Sequence, residues 1–226
     1  MSSHRLHDPA FIQARYRLNG HARDVSGHGR HGTLVNAPTW GTFFKGNKTA
    51  LELNGNNQYV NLGDLTCLNA VSAFTICFWM NQDVIGASDR LFYKYVNDFN
   101  RLVLYTVLAG TNRMYFQIPD GALAAYGFCV YDATVSAVNW HHVAWVYTGA
   151  GIANADRLIC YIDGIPIALV FAGTIPATTT DLAGADATIG YSVLSFDGRL
   201  YDFRIYNVPL SRQEIMTIQH EPVGVL

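Results

Sequence analysis

Apolar and polar residues alternate with a period of two along most of this 226-residue chain. Such alternation is typical of strands that bury one face and expose the other. It predicts thirteen strands, at residues 13–18, 49–53, 59–62, 74–81, 90–96, 101–108, 113–118, 127–131, 141–147, 157–162, 165–171, 187–189 and 198–206. So many strands in one uninterrupted sequence predict an all-β fold, a two-sheet antiparallel jelly-roll sandwich.

Turn and helix signals complete this prediction. Asp163-Gly164 lies between two apolar runs and is typical of a two-residue hairpin turn. Ser211 and Glu214 have the spacing of a capping box, and Ile215 and Ile218 supply an apolar stripe, so we expect one short C-terminal helix. No linker or repeat divides the sequence, which predicts a single domain over residues 1–226 with its core at about 13–218.

Composition and charge exclude several classes of protein. The chain has 14 Asp but only 3 Glu, and 12 Arg but only 3 Lys, so helix-forming charged residues are scarce. The net charge of −2 argues against a nucleic-acid partner, which would select a basic surface. No apolar segment is long enough to cross a membrane, so membrane insertion is not expected, and the first residues lack the apolar stretch of a signal peptide.

Four cysteines, at positions 67, 77, 129 and 160, have no metal-ligand spacing. Cys77 and Cys160 lie within predicted strands, where a thiol usually behaves as a small core residue. Free buried thiols are therefore favoured over disulfides, and any pairing is left open.

A series of motifs resembles a known family. Tyr-Arg-Leu-Asn-Gly-His-Ala-Arg-Asp-Val-Ser-Gly-His-Gly-Arg-His-Gly-Thr begins at Tyr16, Trp-His-His-Val-Ala at Trp140, and Phe-Asp-Gly-Arg-Leu-Tyr-Asp-Phe-Arg-Ile-Tyr-Asn at Phe196. In this order, from about Tyr16 to Ile218, the motifs resemble the laminin-G-like, concanavalin-A-like jelly-roll family, which includes pentraxin-like modules. The resemblance implies a module that binds glycans or protein partners, often with a structural calcium ion.

The loop after the first predicted strand contains groups that suit calcium, which takes carboxylate, carbonyl and water oxygens. The resemblance implies that the aspartate of this loop lies close to an aspartate near the last strand. The predicted calcium ligands are Asp24, Asp202, Asn19, Gly27 and Gly29.

Two alternatives to calcium stay open. Asp24 could cap a tight turn while Asp202 pairs with Arg204 or Arg199. The nearby histidines at positions 21, 28 and 31 raise zinc as a further possibility, but zinc is disfavoured because no cysteine or fourth histidine joins them. In this interpretation His31 orders the turn.

A catalytic function is not expected. A retaining glycosidase needs two carboxyl groups about 5.5 Å apart, and no predicted strand carries carboxylates at alternate positions of one face. Glu52 stands alone in its strand, and Glu214 and Glu221 belong to the C-terminal segment. We interpret His142 of the Trp-His-His motif as a hydrogen-bonded histidine at the edge of the core.

Aromatic residues outside the family pattern are the candidates for ligand binding, because sugar rings stack on aromatic faces beside planar polar groups. The predicted glycan-binding residues are Tyr93, Tyr95, Asn97, Arg101 and Trp145. Further candidates on later strands or loops are Tyr105, Tyr115 and Tyr126. The alternative for each is ordinary packing in a two-layer core.

Two classes of function remain. The first is a lectin-like module with a structural calcium ion that binds a glycan or polysaccharide. The second is a structural or assembly protein, such as a virion decoration or fibre component, that displays the same sandwich and contacts a protein partner. We therefore expect an extracellular or cell-surface module or a virus-particle component, with its oligomeric state left open.

Overall fold

Sixteen strands form two antiparallel sheets in the part of the chain that the structure describes. The computed structural model describes residues 3–43, 48–84, 88–108, 112–121, 125–130 and 139–221. The first sheet contains β1 (Ile12–Tyr16), β3 (Thr39–Phe43), β4 (Lys48–Asn54), β6 (Ala73–Val84), β11 (His141–Thr148), β12 (Leu158–Ile162), β13 (Ile165–Ile167) and β16 (Asp197–Tyr206). The second sheet contains β2 (Thr33–Val35), β5 (Tyr59–Asn61), β7 (Asp89–Asn97), β8 (Asn100–Leu108), β9 (Asn112–Gln117), β10 (Tyr126–Val130), β14 (Val170–Ala172) and β15 (Ala187–Gly190).

The two sheets enclose one apolar core. The first sheet has the spatial order β13-β12-β11-β6-β16-β4-β3 with β1 also beside β16, and the second has the order β14-β10-β9-β8-β7-β15-β5-β2. Phe203 of the first sheet stacks on Phe78 of the same sheet and on Phe92 of the second, with ring centroids 5.3 and 5.9 Å apart. In both sheets, strands that are distant in sequence lie next to each other and pair antiparallel, which confirms the predicted jelly-roll sandwich.

Each of the thirteen predicted strands overlaps an observed strand. The range 165–171 is wrong as a single strand, because the chain leaves the first sheet after β13 and joins the second at β14. Position 131, at the end of another predicted strand, lies outside the described residues. β2 and β3 were not predicted, because both lie at sheet edges and neither has a regular alternation of buried and exposed residues.

The predicted hairpin turn is confirmed. Asp163 and Gly164 have φ angles of +53° and +74°, and Ile162 pairs with Ile165 across the turn. Positive φ at both central residues defines a type I′ turn, for which Asp-Gly is a favoured sequence.

The predicted C-terminal helix is α2 (Arg212–Gln219). The backbone N–H of Ser211 donates to Glu214 Oε2 at 2.8 Å, and the N–H of Glu214 donates to Ser211 Oγ at 3.4 Å, which confirms the capping box. Ile215 and Ile218 are buried in a cluster that includes Val146 of β11. Burying each isoleucine contributes about 1.5–3 kcal/mol, so α2 is firmly attached to the outward face of the first sheet.

Other helical segments are short in the described ranges. α1 covers Asn154–Arg157, and two 3₁₀ turns cover Ser3–Leu6 and Thr66–Leu68. Over the same ranges, no helix has the length and apolar character needed to cross a membrane.

The cysteines are free thiols, in line with the prediction. Cys129 of the second sheet and Cys160 of the first face each other across the core, with their Sγ atoms 4.0 Å apart. Burial raises the pKa of the Cys160 thiol well above its usual value, so this thiol is protonated at neutral pH.

A buried ion-pair cluster joins the N-terminal and C-terminal segments. Arg204 of β16 is fully buried, and its guanidinium donates to both Asp202 and Glu221, with Nη2 2.6 Å from Glu221 Oε2. Arg15 of β1 donates to the same aspartate, from Nε to Oδ1 at 2.9 Å and from Nη2 to Oδ2 at 3.1 Å. Asp202 lies at a bulge of β16 with a φ of +49°. The cluster therefore ties β1, β16 and the residues after α2 together.

The two carboxylates of this cluster are held in their charged form. Burial alone would raise the pKa of Asp202, but the guanidiniums of Arg204 and Arg15 hold that pKa well below its usual value. Burial likewise opposes ionisation of Glu221, and the hydrogen bonds and charge of Arg204 lower its pKa overall. A carboxylate whose pKa is lowered by folding stabilises the folded state above its unfolded pKa, and this contribution is lost as the pH falls towards the folded value.

We predict that the free energy of unfolding decreases as the pH falls from about 5 towards 2, because protonation of these carboxylates breaks the cluster. Asp202→Asn retains a side chain that tolerates positive φ but leaves the buried Arg204 and the half-buried Arg15 short of a counter-charge, which should cost about 3–5 kcal/mol at pH 7. Urea unfolding at a series of pH values measures both effects. The variant should also lose part of the pH dependence of the free energy of unfolding. Identical pH profiles in the two proteins would contradict the view that Asp202 contributes to this dependence.

Candidate functional site

The outward faces of the two sheets differ in what covers them. On the first sheet, α2 and the N-terminal segment bury a cluster that includes Leu6, Tyr206 and Ile215. A second buried cluster on the same sheet contains Phe43 and Trp79 together with other aromatic residues. Neither cluster extends to the second sheet, so its outward face is the candidate for ligand binding.

Half-buried residues alternate with core residues such as Leu104 and Phe116 along β7, β8, β9 and β10. These half-buried side chains lie on the outward face of the second sheet, and Tyr191 joins them by stacking on Tyr93. We call this set the open face: Arg90, Tyr93, Tyr95, Arg101, Tyr105, Arg113, Tyr115, Gln117, Tyr126, Phe128 and Tyr191.

Tyr115 lies at the centre of an aromatic platform. The strand register places Tyr105 of β8 and Phe128 of β10 directly opposite it on either side. The rings of Tyr105 and Tyr115 stack with centroids 5.0 Å apart and planes 8° apart, and Phe128 stacks at 4.8 Å and 27°. Tyr126 meets Tyr115 edge-on at 5.5 Å. The structure thus brings together the three further tyrosines that the sequence singled out.

Polar groups surround this platform. Gln117 Nε2 donates to the Tyr105 hydroxyl at 3.1 Å, and Arg113 Nη1 donates to the Tyr115 hydroxyl at 3.3 Å. The Arg113 guanidinium lies 5.0 Å from the Phe128 ring centroid. Burial raises the pKa of Tyr105, so its hydroxyl is protonated and can donate as well as accept a hydrogen bond.

Three of the predicted glycan-binding residues lie at one end of the open face. Tyr93 stacks between Tyr95, at 5.4 Å, and Tyr191, at 4.0 Å. The Tyr95 hydroxyl and Arg101 Nη1 both donate to Asp98 Oδ1, at 3.1 and 2.8 Å. Tyr93, Tyr95 and Arg101 are therefore close to one another, and their contact with a ligand stays a prediction.

The fourth predicted residue, Asn97, has a role in the turn between β7 and β8. Its Oδ1 accepts hydrogen bonds from the backbone N–H groups of Phe99 and Asn100, at 2.9 and 3.0 Å. This oxygen shapes the hairpin that carries Tyr95 and Arg101.

The prediction that Trp145 contacts a ligand is wrong. Trp145 is fully buried, with Nε1 3.4 Å from Met114 Sδ and its ring edge-on to Phe116 at 5.7 Å. Along β11, residue 145 faces inward, towards the second sheet. The sequence showed an unusual tryptophan, but not which side of its strand faces the core.

Several residues of the open face were missed by the sequence analysis. Arg90 and Arg113 read as ordinary strand charges, and Gln117 and Phe128 as ordinary strand residues. Tyr191 follows β15 and reaches Tyr93 only because β15 lies next to β7 in the sheet. These residues come together through the order of the strands in the sheet, which no local sequence motif indicates.

Asp24 holds a loop by hydrogen bonds to backbone N–H groups. Its Oδ1 accepts from Arg15 and Ser26, at 3.0 and 2.9 Å, and its Oδ2 accepts from Arg30 at 3.0 Å. Burial alone would raise the pKa of Asp24, but these hydrogen bonds lower it overall. His31 Nδ1 also accepts from the Asp24 N–H at 3.2 Å, so this histidine orders the turn, as expected.

The other predicted calcium ligands have structural roles of their own. Asp202 is paired with Arg15 and Arg204, and Asn19 Oδ1 accepts from the backbone and hydroxyl of Thr49, at 3.1 and 2.8 Å. Gly27 and Gly29 have φ angles of +99° and +69° and allow the loop to turn back. Over the described ranges, no group of three or more His, Cys, Asp and Glu residues is arranged to hold a metal ion.

The residues present therefore do not fit a calcium ion. Calcium needs several converging, uncommitted oxygen atoms, whereas Asp202 already faces two guanidinium groups and Asp24 three N–H donors. This arrangement favours the alternative interpretation of a capped turn and an arginine pair.

We predict that calcium does not change the melting temperature of the wild-type protein relative to a chelator. Asp24→Asn should lower stability by about 1–3 kcal/mol, because the amide replaces one acceptor of the backbone hydrogen bonds, and the loss should be equal in calcium and in EGTA. Thermal unfolding of both proteins in both buffers measures this. If calcium stabilised the wild type and this stabilisation disappeared in Asp24→Asn, the result would contradict this prediction and support a calcium site at Asp24.

Solved structures with the same fold bind different classes of partner. Domain 4 of AbnA, a GH43 extracellular arabinanase from Geobacillus stearothermophilus in complex with arabinotriose, has 17% sequence identity and a TM-score of 0.69, with 92% of this chain and 97% of that one covered. The binding domain of botulinum neurotoxin DC, in complex with rat synaptotagmin II, has 13% identity and a TM-score of 0.67, with 92% and 50% covered. The binding domain of Paraclostridial Mosquitocidal Protein 1 has 15% identity and a TM-score of 0.67, with 93% and 52% covered.

These likenesses show the fold alone, and the chain spans about half the length of the two toxin binding domains. No curated protein matches the sequence. The family model Laminin_G_3 matches residues 54–216, well over half of the chain. In agreement with the two eight-stranded antiparallel sheets of its described residues, this chain belongs to the concanavalin A-like lectin/glucanases superfamily.

Proposed function

We propose that this chain is a non-catalytic carbohydrate-binding module that holds a glycan along the open face. The observation that carries the proposal is the stack of Tyr105, Tyr115 and Phe128 on the outward face of the second sheet. Sugar rings have an apolar face that packs on such rings, and their hydroxyl groups need donors and acceptors at the rim. Gln117 and Arg113 supply these groups beside the platform.

One structural relative adds support. Domain 4 of the arabinanase is in complex with arabinotriose, so an oligosaccharide is the first class of ligand to test on this chain. A glycan-binding module of this kind would act at an extracellular, cell-surface or particle-surface location. Calcium is not part of the proposal, because Asp24 and Asp202 have other partners.

The non-catalytic part of the proposal rests on the surroundings of the carboxylates. Asp98, beside the open face, is bound to Tyr95 and Arg101. Glu52 pairs with Arg199 at 2.9 Å, and Glu221 belongs to the buried cluster. Glycoside hydrolysis uses two carboxyl groups on opposite sides of the bound sugar, and these residues are committed to separate ion pairs.

An assembly role is the alternative. In a virion decoration or fibre component, the same sandwich would be displayed on a particle and the open face would contact a protein. Retention of the protein by a polysaccharide would separate the two roles.

We predict that Tyr115→Ala weakens glycan binding about five- to tenfold, equivalent to roughly 1 kcal/mol, because the central ring of the platform is lost. Affinity electrophoresis in gels that contain soluble polysaccharides, neutral and acidic, measures retention for the wild type and the variant.

Tyr161→Ala is the matched control, since Tyr161 is a half-buried tyrosine associated with the covered face of the first sheet. It should bind as the wild type does. Equal retention of Tyr115→Ala and wild type, or no retention of folded wild type in any gel, would contradict the proposal and favour a protein partner.

A further inference from the structure

Arg90 is a half-buried cation in the open face without a carboxylate partner among the described residues. Its guanidinium lies over the Tyr105 ring, 4.5 Å from the centroid, and Nη1 donates to Ser88 Oγ at 2.8 Å. Its Nε is buried and has no hydrogen-bond partner over the same ranges. A buried charge is normally paired with an opposite charge or fully hydrogen-bonded. The described part of the protein provides no counter-ion for the Arg90 guanidinium, so a bound anion could supply one.

The electrostatic surroundings of Arg90 agree with this geometry. Burial lowers the pKa of Arg90, neighbouring tyrosines oppose the shift, and the nearby positive charge of Arg101 adds to it. The tyrosines are neutral at pH 7 and do not compensate the charge. An anion next to Arg90 would relieve both burial of the charge and repulsion from Arg101.

Arg101 provides a second cation on the same face. In the strand register, Arg101 of β8 lies opposite Tyr95 of β7, and Tyr105 of β8 lies opposite Arg90 of β7. Because Arg101 and Tyr105 are four positions apart on β8, the two arginines lie about 13 Å apart along the strands. Asp98 binds Nη1 of Arg101 and orients it, while Nε is buried without a partner in the described part of the chain. Tyr93 lies between them along β7, so the cations flank an aromatic surface.

We propose that the glycan held on the open face is acidic, with uronic acid carboxylates that bind Arg90 and Arg101 while the tyrosines stack on the sugar rings. This inference rests on the proposed function and specifies its ligand class. The planar guanidinium presents two parallel N–H donors that match a carboxylate, which favours uronates over neutral sugars.

The test uses uronate polymers and the same polymers with the charge removed. Polygalacturonate, alginate and hyaluronate are each compared with their methyl esters by affinity electrophoresis of the full chain. We expect at least one acidic polymer to bind at least tenfold more tightly than its ester. Arg90→Gln should reduce this preference to about threefold or less, and Arg90→Lys should retain part of it.

Arg101→Gln is the second variant if Arg90→Gln does not fold, as judged by circular dichroism. Arg23→Gln is the control, because it removes the same charge from an exposed position outside the open face, and it should keep the full preference. An equal loss in Arg23→Gln would mean that only net charge matters, and it would overturn the inference.

The outcomes distinguish this inference from the proposed function. Binding of neutral polysaccharides such as arabinan, weakened by Tyr115→Ala, with no preference for acidic polymers, would overturn the acidic ligand and leave the glycan-binding function intact. Absence of binding to every polymer, neutral or acidic, would overturn both.

Discussion

The ion-pair cluster of Arg15, Asp202, Arg204 and Glu221 lies beside the covered face of the first sheet, since Arg204 also donates to the hydroxyl of Tyr206 on that face. It links the first strand, the last strand and the residues after α2. Beside this cluster, α2 and the segment around Leu6 bury part of the outward face of the first sheet. Asp202, in a bulge of β16, binds Arg15 of β1 and Arg204 of β16, and Arg204 in turn binds Glu221 after α2.

The second sheet can then use its outward face for recognition. Antiparallel pairing places side chains of neighbouring strands opposite one another, so residues far apart in sequence form one continuous surface. Tyr105, Tyr115 and Phe128 come from three strands and stack because of this register. Arg90 and Arg101 add positive charge to this aromatic surface. The aromatic rings suit any sugar, whereas the positive charge is the reason for proposing an acidic glycan and not a neutral one.

Local patterns predicted the strands well, because each half-buried strand carries its own alternation. They did not predict the division at residues 168–169, where an apolar run passes from one sheet to the other. The direction of each side chain was the weaker point, since Trp145 faces the core and Tyr115 the open face although both are aromatic strand residues. For Asp202, the resemblance implied calcium, but the local structure provides arginine as the cation.

The central claim is that recognition takes place on the outward face of the second sheet. The most direct test is a backbone amide NMR titration with oligosaccharides cut from whichever polysaccharide retains the protein. The account predicts chemical-shift changes concentrated on β7, β8, β9 and β10. Changes concentrated on α2, on β11 and β12, or on the loop that contains Asp24 would contradict it.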